Sequence, residues 1–287
     1  MVTTRASLTA RLGRAVTWLF VPGDRPERFE KAVAARPDVV VIDLEDGVGA
    51  AEKQAARRAA VRWLAETDTL AVVRINSAGP ELDADLRSLG GAPRVVMVPK
   101  AERPDVLVET LEGLPEGSLL VALIETAQGV LNAPTIAAAP GVARLAFGGL
   151  DLGAQLGVDP RHAPAMASSR GALVLASAAA GLAAPVDAVS GGLRDLPEVT
   201  RDAHEARALG FGGKLCIHPA QVPVVARAFR PSVEEVGWAQ RVVRSDGGSA
   251  VGVVGGELVD RPVLVRARRL LEEARLRAEA PDGQTEH

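Results

Sequence analysis

Residues 39–49 read VVVIDLEDGVG, and this stretch decides the fold that the sequence predicts. It opens with four consecutive β-branched residues, which are typical of a strand buried on both faces in a parallel sheet. Three acids follow, at Asp43, Glu45 and Asp46. Because a buried carboxylate without partners costs several kcal/mol, these acids must meet cations or hydrogen-bond donors. The stretch therefore predicts a core strand whose carboxyl end carries a polar site.

Further apolar runs of the same type recur along the chain. They are WLFVPG (18–23), LAVVRIN (70–76), RVVMVPK (94–100), LLVALIET (119–126), ARLAFGGLD (143–151), PVDAVS (185–190) and KLCIHP (214–219). Alanine-rich, charged stretches with helical spacing separate them, for example at 52–66 and 196–210. Strands that alternate in this way with helices predict an α/β fold, a single (β/α)8 TIM barrel with a C-terminal helical lid or oligomerisation extension.

A doubly wound open sheet is the alternative fold for such a pattern. It normally carries a phosphate-binding fingerprint of three glycines after its first strand. The corresponding segment here, FVPGDRPERF at 20–29, has one glycine. The closed barrel is therefore the predicted architecture.

The expected domain organisation has three parts. Residues 1–16 form a flexible N-terminal tail, since they lack the apolar segment of a signal peptide and the first strand follows directly. Residues 17–230 form the catalytic barrel, with one long helix between 162 and 181. Residues 231–287 form an extension of helix, short extended piece and helix, with its last residues disordered. Because a minimal barrel needs only ~250 residues, the extension predicts a lid or a subunit contact.

Composition favours small-molecule chemistry. The 287 residues are 47% hydrophobic and 24% charged, and their formal net charge of −3 gives no electrostatic case for nucleic acid or an anionic membrane. No stretch approaches the ~20 apolar residues of a membrane helix. A single cysteine excludes an internal disulfide, and the scattered histidines disfavour a three-histidine zinc site. We therefore expect a cytoplasmic protein.

Polar residues stand where each predicted strand ends. They are Asp24 or Arg25, Glu45 with Asp46, Arg74, Lys100, Glu125, Asp151, Ser190 and His218. In a (β/α)8 barrel the active site forms at these ends, because the βα loops converge there on one mouth. The alternative is a packed charge network that only closes the barrel. Since interior barrel layers are usually aliphatic, a whole ring of polar residues at one end favours a site.

Two acids of this ring predict a metal site. Glu125 and Asp151 follow apolar strands in adjacent units. Carboxylates completed by water and substrate oxygens suit Mg2+ better than zinc, because hard oxygen donors match a hard, hydrated ion. Gly148 and Gly149 would let the backbone approach a ligand closely, or would mark a tight bend.

Two other features have competing interpretations. Cys216 and His218 share a strand face, which would suit a thiol nucleophile, but cysteine in a strand is usually core and no orienting third group is evident. Asp260 opens DRPVL, the pattern of a helix N-cap with proline in the first turn. Function at Asp260 is compatible with that capping role.

Several blocks of the sequence together resemble a known family. They are LFVPGDRPERFEKA (19–32), VVVIDLEDGV (39–48), AVVRINSAG (71–79), VMVPKAE (96–102), LIETAQGV (123–130), FGGLDLGAQLG (147–157) and GFGGKLCIHPAQV (210–222). In this order they resemble the citrate lyase beta subunit-like proteins of the HpcH/HpaI aldolase/citrate lyase family, from about Trp18 to about Arg269. The resemblance implies a TIM barrel that assembles as a homotrimer or hexamer and binds Mg2+.

The resemblance also implies roles for individual residues. Glu125 and Asp151 would be the Mg2+ ligands, while Glu45 and Asp46 would hold metal-bound waters. Arg74 would grip the carboxylate or acyl oxygen of the substrate. Apart from the resemblance, the strand-end positions of Lys100, Gly148 and Gly149 make them candidate substrate-binding residues.

The C-terminal block GELVDRPVLVRAR (256–268) resembles the lid of the same family. This makes Asp260 a candidate acid or base, acting in its own or in a neighbouring subunit. Leu150 stands where many members of the family carry an acidic residue, and Ser190 stands where a tyrosine is common. Both differences bear on which acyl group the protein accepts.

The function that these observations predict is carbon–carbon bond cleavage. We expect an Mg2+-dependent lyase of the retro-Claisen or aldol type, acting on a carboxylated 3-hydroxyacyl thioester such as citryl-, malyl- or citramalyl-CoA and giving a ketoacid and an acetyl thioester. Three alternatives remain open: a citrate lyase beta subunit acting on a carrier-protein-bound citryl group, an aldolase on free pyruvate or oxaloacetate, and a catalytically silent homologue. The expected partners are an acyl-CoA or oxaloacetate-like small molecule and further copies of the chain.

Overall fold

A computed structural model of the chain describes residues 4–92, 94–245, 252–254 and 257–278. The chain divides into two compact units, Met1–Phe229 and Arg230–His287. Each unit has its own secondary structure and buried core, and the two are described in turn.

Eight parallel strands close the first unit into a barrel. They are β1 (Thr17–Pro22), β2 (Val39–Asp43), β3 (Ala71–Arg74), β4 (Val95–Val98), β5 (Leu119–Ile124), β6 (Val142–Phe147), β7 (Val186–Asp187) and β8 (Gly213–Cys216). The strands pair in sequence order, and β8 pairs with β1 to complete the circle. All of the predicted strands are present, so the (β/α)8 barrel is confirmed and the open sheet is excluded.

Helices follow the strands around the outside. They are α1 (Arg5–Arg14), α2 (Phe29–Ala34), α3 (Lys53–Glu66), α4 (Gly79–Leu89), α5 (Pro104–Glu112), α6 (Ala127–Leu131), α7 (Ala133–Ala137), α8 (Gly149–Leu156), α9 (Ala163–Ala179), α10 (Leu196–Leu209) and α11 (Gln221–Ala228). Helix α9 is the long helix predicted before the seventh strand.

The core has two layers because side chains alternate across a strand. In β2, Val39 and Val41 belong to an inner cluster built mainly from strand residues. Val40 and Ile42 belong to an outer cluster that also includes residues of the surrounding helices. The same alternation directs Asp43 toward the barrel interior at the carboxyl end of the strand, where it is 4% exposed.

The N-terminus differs from the prediction. Helix α1 begins at the N-cap Thr4, whose side chain accepts a hydrogen bond from the amide of Ser7, and Leu12 of this helix is fully buried. The guanidinium of Arg144 in β6 donates to the carbonyl of Ala15 at 2.6 Å and to that of Leu12. Within residues 1–16, for which the sequence predicts a flexible tail, the structure thus has a helix that an apolar side chain and a buried arginine hold against the barrel.

The second unit contains α12 (Val233–Arg244), an antiparallel hairpin of β9 (Gly252–Val254) and β10 (Glu257–Val259), and α13 (Arg261–Ala278). Its core consists of Ala239, Val242, Val259, Ala267 and Leu270. The predicted order of helix, extended piece and helix is present. The predicted disorder of the last residues concerns 279–287, which lie outside the described part of the chain.

Within the described residues, no helix is both long enough and apolar enough to cross a membrane.

Closure of the barrel depends on a glycine. A methyl group added at Gly213 would lie 2.6 Å from the carbonyl oxygen of Val16, the residue just before β1, with which β8 must pair. We expect Gly213→Ala to lower the free energy of unfolding by about 1–3 kcal/mol, as other overpacked positions do. Urea denaturation measures this.

Gly171→Ala is the matched control. Gly171 lies within α9 with open space around an added methyl, so alanine there should raise stability by up to about 1 kcal/mol through helix propensity. Equal stability of the Gly213→Ala variant and the wild type would contradict the closure argument.

Candidate active site

A buried ion pair joins β2 to β3 at the carboxyl ends of the strands. Arg74 donates from Nε to Oδ1 of Asp43 at 2.8 Å and from Nη2 to Oδ2 at 2.7 Å, and its guanidinium stacks on Phe20 with 5.0 Å to the ring centroid. Burial lowers the pKa of Arg74, but its bonds to Asp43 and the charges of nearby acids raise that pKa above the ordinary value. A guanidinium has five N–H groups, so three of them remain after the two bonds to Asp43.

Glu45 is the second buried acid of this region, at 5% exposure. Its Oε2 lies 3.2 Å from Nη1 of Arg74, and its Oε1 accepts a bond of 2.5 Å from Nζ of Lys100. Burial raises the pKa of Glu45, against the opposing effects of Lys100 and Arg74. Asp46 differs, because its side chain is 65% exposed and only its 3.6 Å ion pair with Lys100 connects it to the group.

Lys100 contacts two acids of the site, one through its backbone N–H and the other through its side-chain ammonium group. Its φ of +49° places the residue in the left-handed region, which is unusual for a residue with a side chain. In this conformation its backbone N–H donates to Oε1 of Glu125 at 2.8 Å, while its ammonium reaches Glu45. Lys100 therefore holds two acids of the site in place from one position.

Glu125 and Asp151 form a carboxylate pair. Glu125 directly follows β5 and is 2% exposed, and its carboxyl group interacts with that of Asp151. Burial raises the pKa of Glu125 to about 8, and the charges of Glu45 and Asp151 contribute to the increase, against the bond from the Lys100 amide. Asp151, predicted at the end of a strand, is exposed and lies in the first turn of α8, because β6 already ends at Phe147.

Gly148 makes room for this pair. A methyl group there would lie 2.3 Å from Cβ and 2.5 Å from Oε2 of Glu125, too close for any real contact. Its amide donates to the carbonyl of Ile124 at 2.9 Å, which keeps the backbone next to β5. Gly149 is less restricted, because the nearest atoms to an added methyl lie at 3.3 Å. The structure thus gives Gly148 a clear function in seating Glu125, whereas the substrate-binding role of both glycines stays a prediction.

The structure clarifies the other sequence candidates. Cys216 is fully buried in the outer core, and burial raises the pKa of its thiol to about 12, which fits the core interpretation. His218 accepts a hydrogen bond from the backbone amide of Ala220, two residues further along the chain.

Ser190 donates to Asp202 on α10 at 2.6 Å. Asp260 caps α13 by accepting from the Val263 amide at 3.1 Å, as its sequence pattern indicates.

Sequence reasoning missed the polar groups that support the mouth from outside. Lys53 on α3 and Asn76 after β3 both bond to the backbone of the turn that carries Glu45. The only signal for Asn76 was its place just beyond the strand end, two residues after Arg74. Nothing in the sequence indicates that Lys53 contacts this turn, since a lysine in an alanine-rich helix is normally solvated.

At the mouth of the barrel five carboxylates lie with two cations, namely Asp43, Glu45, Asp46, Glu125 and Asp151 with Arg74 and Lys100. Glu125 and Asp151 supply oxygen donors that could hold a hard divalent cation, with coordination completed by water or substrate. Within the described residues no cluster of three or more histidine, cysteine or acidic side chains could hold a metal by itself.

The sequence of this chain is similar to those of known proteins. The family model for HpcH/HpaI aldolase/citrate lyase matches residues 16–219. A citrate lyase subunit beta-like protein of Mycobacterium tuberculosis is 42% identical over 268 residues, covering 90% of this chain and 94% of that protein. A (3S)-malyl-CoA thioesterase of Cereibacter sphaeroides is 35% identical over 269 residues, covering 89% of this chain and 93% of the relative.

A solved structure agrees with the fold. The crystal structure of the protein CitE from Mycobacterium tuberculosis, in complex with magnesium, acetoacetate and coenzyme A, superposes with a TM-score of 0.79 at 38% identity. The match covers 91% of this chain and 99% of that one. The resemblance inferred from the sequence blocks is thereby confirmed, and the chain belongs to the HpcH/HpaI aldolase/citrate lyase family.

Proposed function

We propose that the protein is an Mg2+-dependent carbon–carbon lyase that cleaves a carboxylated 3-hydroxyacyl-CoA into a ketoacid and acetyl-CoA. The observation that carries the proposal is the pair of Glu125 and Asp151 at the barrel mouth, beside the cations Arg74 and Lys100. The magnesium, acetoacetate and coenzyme A bound to the tuberculosis relative support the same classes of ligand here.

The residues present fit Mg2+. The donors are carboxylates, Gly148 leaves the space that Glu125 occupies, and a cation held by both acids would counter the effect by which Asp151 helps to raise the pKa of Glu125. Glu125 and Asp151 would hold the ion, with Glu45 positioned near its bound water. When bound, Mg2+ supplies Lewis-acid chemistry that lowers the pKa of a substrate hydroxyl and neutralises a carboxylate.

The protein's own groups would then stabilise the departing fragment. The substrate 3-hydroxyl would give up its proton to water, the C2–C3 bond would break as the resulting oxygen electron pair forms the carbonyl of the ketoacid, and the bonding pair would enter the thioester enolate. Arg74 has N–H groups left after its bonds to Asp43, and these would donate to the enolate oxygen. Lys100, whose side chain is 38% exposed, would add positive charge for a substrate carboxylate.

The enolate carbon must finally take up a proton. We propose Asp260, of the same or a neighbouring subunit, as the general acid. A homotrimer or hexamer in the cytoplasm is part of the same proposal. Sedimentation of the purified protein tests the assembly.

Thioester hydrolysis is a second candidate, because one group of relatives carries the name (3S)-malyl-CoA thioesterase. It needs the same binding groups but would direct water to the thioester carbonyl. The products separate the two reactions, since hydrolysis of malyl-CoA gives malate and free CoA, whereas cleavage gives glyoxylate and acetyl-CoA.

The test is a panel of citryl-, malyl- and citramalyl-CoA with Mg2+, with products identified by mass spectrometry. We expect a ketoacid and acetyl-CoA in equal amounts from at least one substrate. Glu125→Gln and Asp151→Asn should each lower turnover by at least about 100-fold, because even groups that only orient a metal ligand contribute up to that factor. They should also abolish Mg2+ binding in calorimetry.

Glu116→Gln, at an exposed position away from the site, is the control and should behave as wild type. Full activity of either ligand variant would overturn the metal assignment. Cleavage of free oxaloacetate alone would support the aldolase alternative, and activity restricted to carrier-bound citryl groups would support the beta-subunit alternative. No turnover on any substrate would support a silent homologue.

Gly148→Ala tests the seat of Glu125. The added methyl must displace the Glu125 carboxyl group, so we expect Mg2+ affinity to fall by about 10–100-fold, as for other disturbed metal sites. Isothermal titration calorimetry measures this. Gly191→Ala is the control, since a methyl there meets no atom within 4 Å, and equal affinity in the two variants would contradict the role of Gly148.

Mg2+ binding should depend on pH. With a pKa of about 8 in the metal-free protein, Glu125 is mostly protonated at pH 7, and Mg2+ must displace that proton. The apparent affinity should therefore rise by up to about tenfold per pH unit below pH 8 and level off above it. Calorimetry at pH 7 in buffers of different ionisation enthalpy should report close to one proton released. An affinity that is constant from pH 6 to 9 would contradict this.

A further inference from the structure

The turn after β2, residues 44–47, carries Glu45, and an ammonium group holds its backbone. Nζ of Lys53 donates to the carbonyls of Leu44 at 2.8 Å and Glu45 at 3.0 Å, and to Oδ1 of Asn76 at 2.6 Å. An ammonium has three N–H donors, so these bonds use all of them. All three acceptors are neutral oxygens, and two of them belong to the turn itself.

A buried network holds Lys53 and Asn76 in turn. Nδ2 of Asn76 donates to the carbonyl of Leu44 at 2.9 Å and to Oδ2 of Asp85 at 2.7 Å, and its backbone N–H donates to the same oxygen. Asp85 on α4 is fully buried and accepts from Nε of Arg57 on α3 at 2.6 Å. Because a buried carboxylate with paired donors is costly to disturb, this end of the network is rigid.

Asp43 holds the turn from the opposite side. Its Oδ1 accepts from the amide of Glu45 and its Oδ2 from the amide of Gly47, both at 2.9 Å. The peptide groups on either side of the Glu45 α-carbon are therefore fixed, one through its N–H and the other through its C=O. This leaves rotation about the side-chain bonds as the main freedom of the Glu45 carboxylate.

We propose that Lys53 is a positioning residue that sets the Glu45 carboxylate against Lys100 and Arg74 by clamping the carbonyls of residues 44 and 45. It acts through Glu45 and has no contact with substrate. The proposal rests on the proposed function only where it concerns turnover. A shift of about 1 Å in a reacting group can cost about 100-fold in rate, so a loose turn should lower kcat.

The test begins with Lys53→Met, which keeps the length of the side chain and removes its three donors. We expect kcat to fall by about 10–100-fold with KM changed less than about twofold, because substrate-binding groups stay in place. Hydrogen exchange of the peptide that spans 44–48 should become faster, while exchange in β5 stays at the wild-type rate. Arg58→Met is the control, since Arg58 is exposed on the same helix.

Rescue separates positioning from a general effect on the fold. Lys53→Cys alkylated with 2-bromoethylamine regains an ammonium at nearly the same reach, and Cys216 is too buried to react. Alkylation should restore both kcat and slow exchange at 44–48. If Lys53→Met fails to fold, Lys53→Gln, which keeps a shorter donor, should give intermediate values of both.

Three outcomes would overturn the proposal. They are wild-type kcat and exchange in Lys53→Met, faster exchange in β5 to the same extent as in the turn, and lower thermal stability without any loss of kcat. If the wild-type protein turns over no substrate of the panel, the proposed function fails, but exchange at 44–48 still decides whether Lys53 holds the turn.

Discussion

The bidentate ion pair between Asp43 and Arg74 is the interaction on which the mouth of the barrel depends. Asp43 accepts two bonds from Arg74 and two from the turn that follows its own strand. It thereby links β2 to β3 and shapes the turn that carries Glu45. A side chain at position 47 would disturb this pair, because a methyl group there would lie 2.2 Å from Oδ2 of Asp43. A buried acid is tolerated here since all of its oxygens have donors.

The acidic side chains around this ion pair outnumber the basic ones, and the excess negative charge lies in one part of the site. Five carboxylates meet two cations at the mouth of the barrel: Asp43, Glu45, Asp46, Glu125 and Asp151 against Arg74 and Lys100. The cations lie with Asp43 and Glu45, so the excess negative charge falls on Glu125 and Asp151. Burial is the main cause of the raised pKa of Glu125, the charges of Glu45 and Asp151 add to it, and a divalent cation would counter that repulsion. Ion pairs therefore fix Arg74 and Lys100, while Glu125 and Asp151 are the acids that could bind a metal.

Much of this could be predicted because the relevant signals are local. The eight strands were visible as apolar runs, since strands buried on both faces contain few polar residues. Strand ends located the polar ring, because parallel strands present their carboxyl ends at one mouth. Helix α1 was missed because its anchor is Arg144, which lies far along the chain. Asp46 was grouped with Glu45 as its neighbour, yet it is exposed, since the turn directs adjacent residues differently.

The sequence by itself determined the strand order, the closed barrel and the identity of the acids and cations at its mouth. Periodicity and strand-end position carry that information without any knowledge of distant contacts. Only the tertiary structure decided which acid pairs with which cation, why Gly148 and Gly47 must lack side chains, and that Lys53 and Asn76 support Glu45. These features depend on distances between segments that meet through folding, and a linear pattern does not contain such distances.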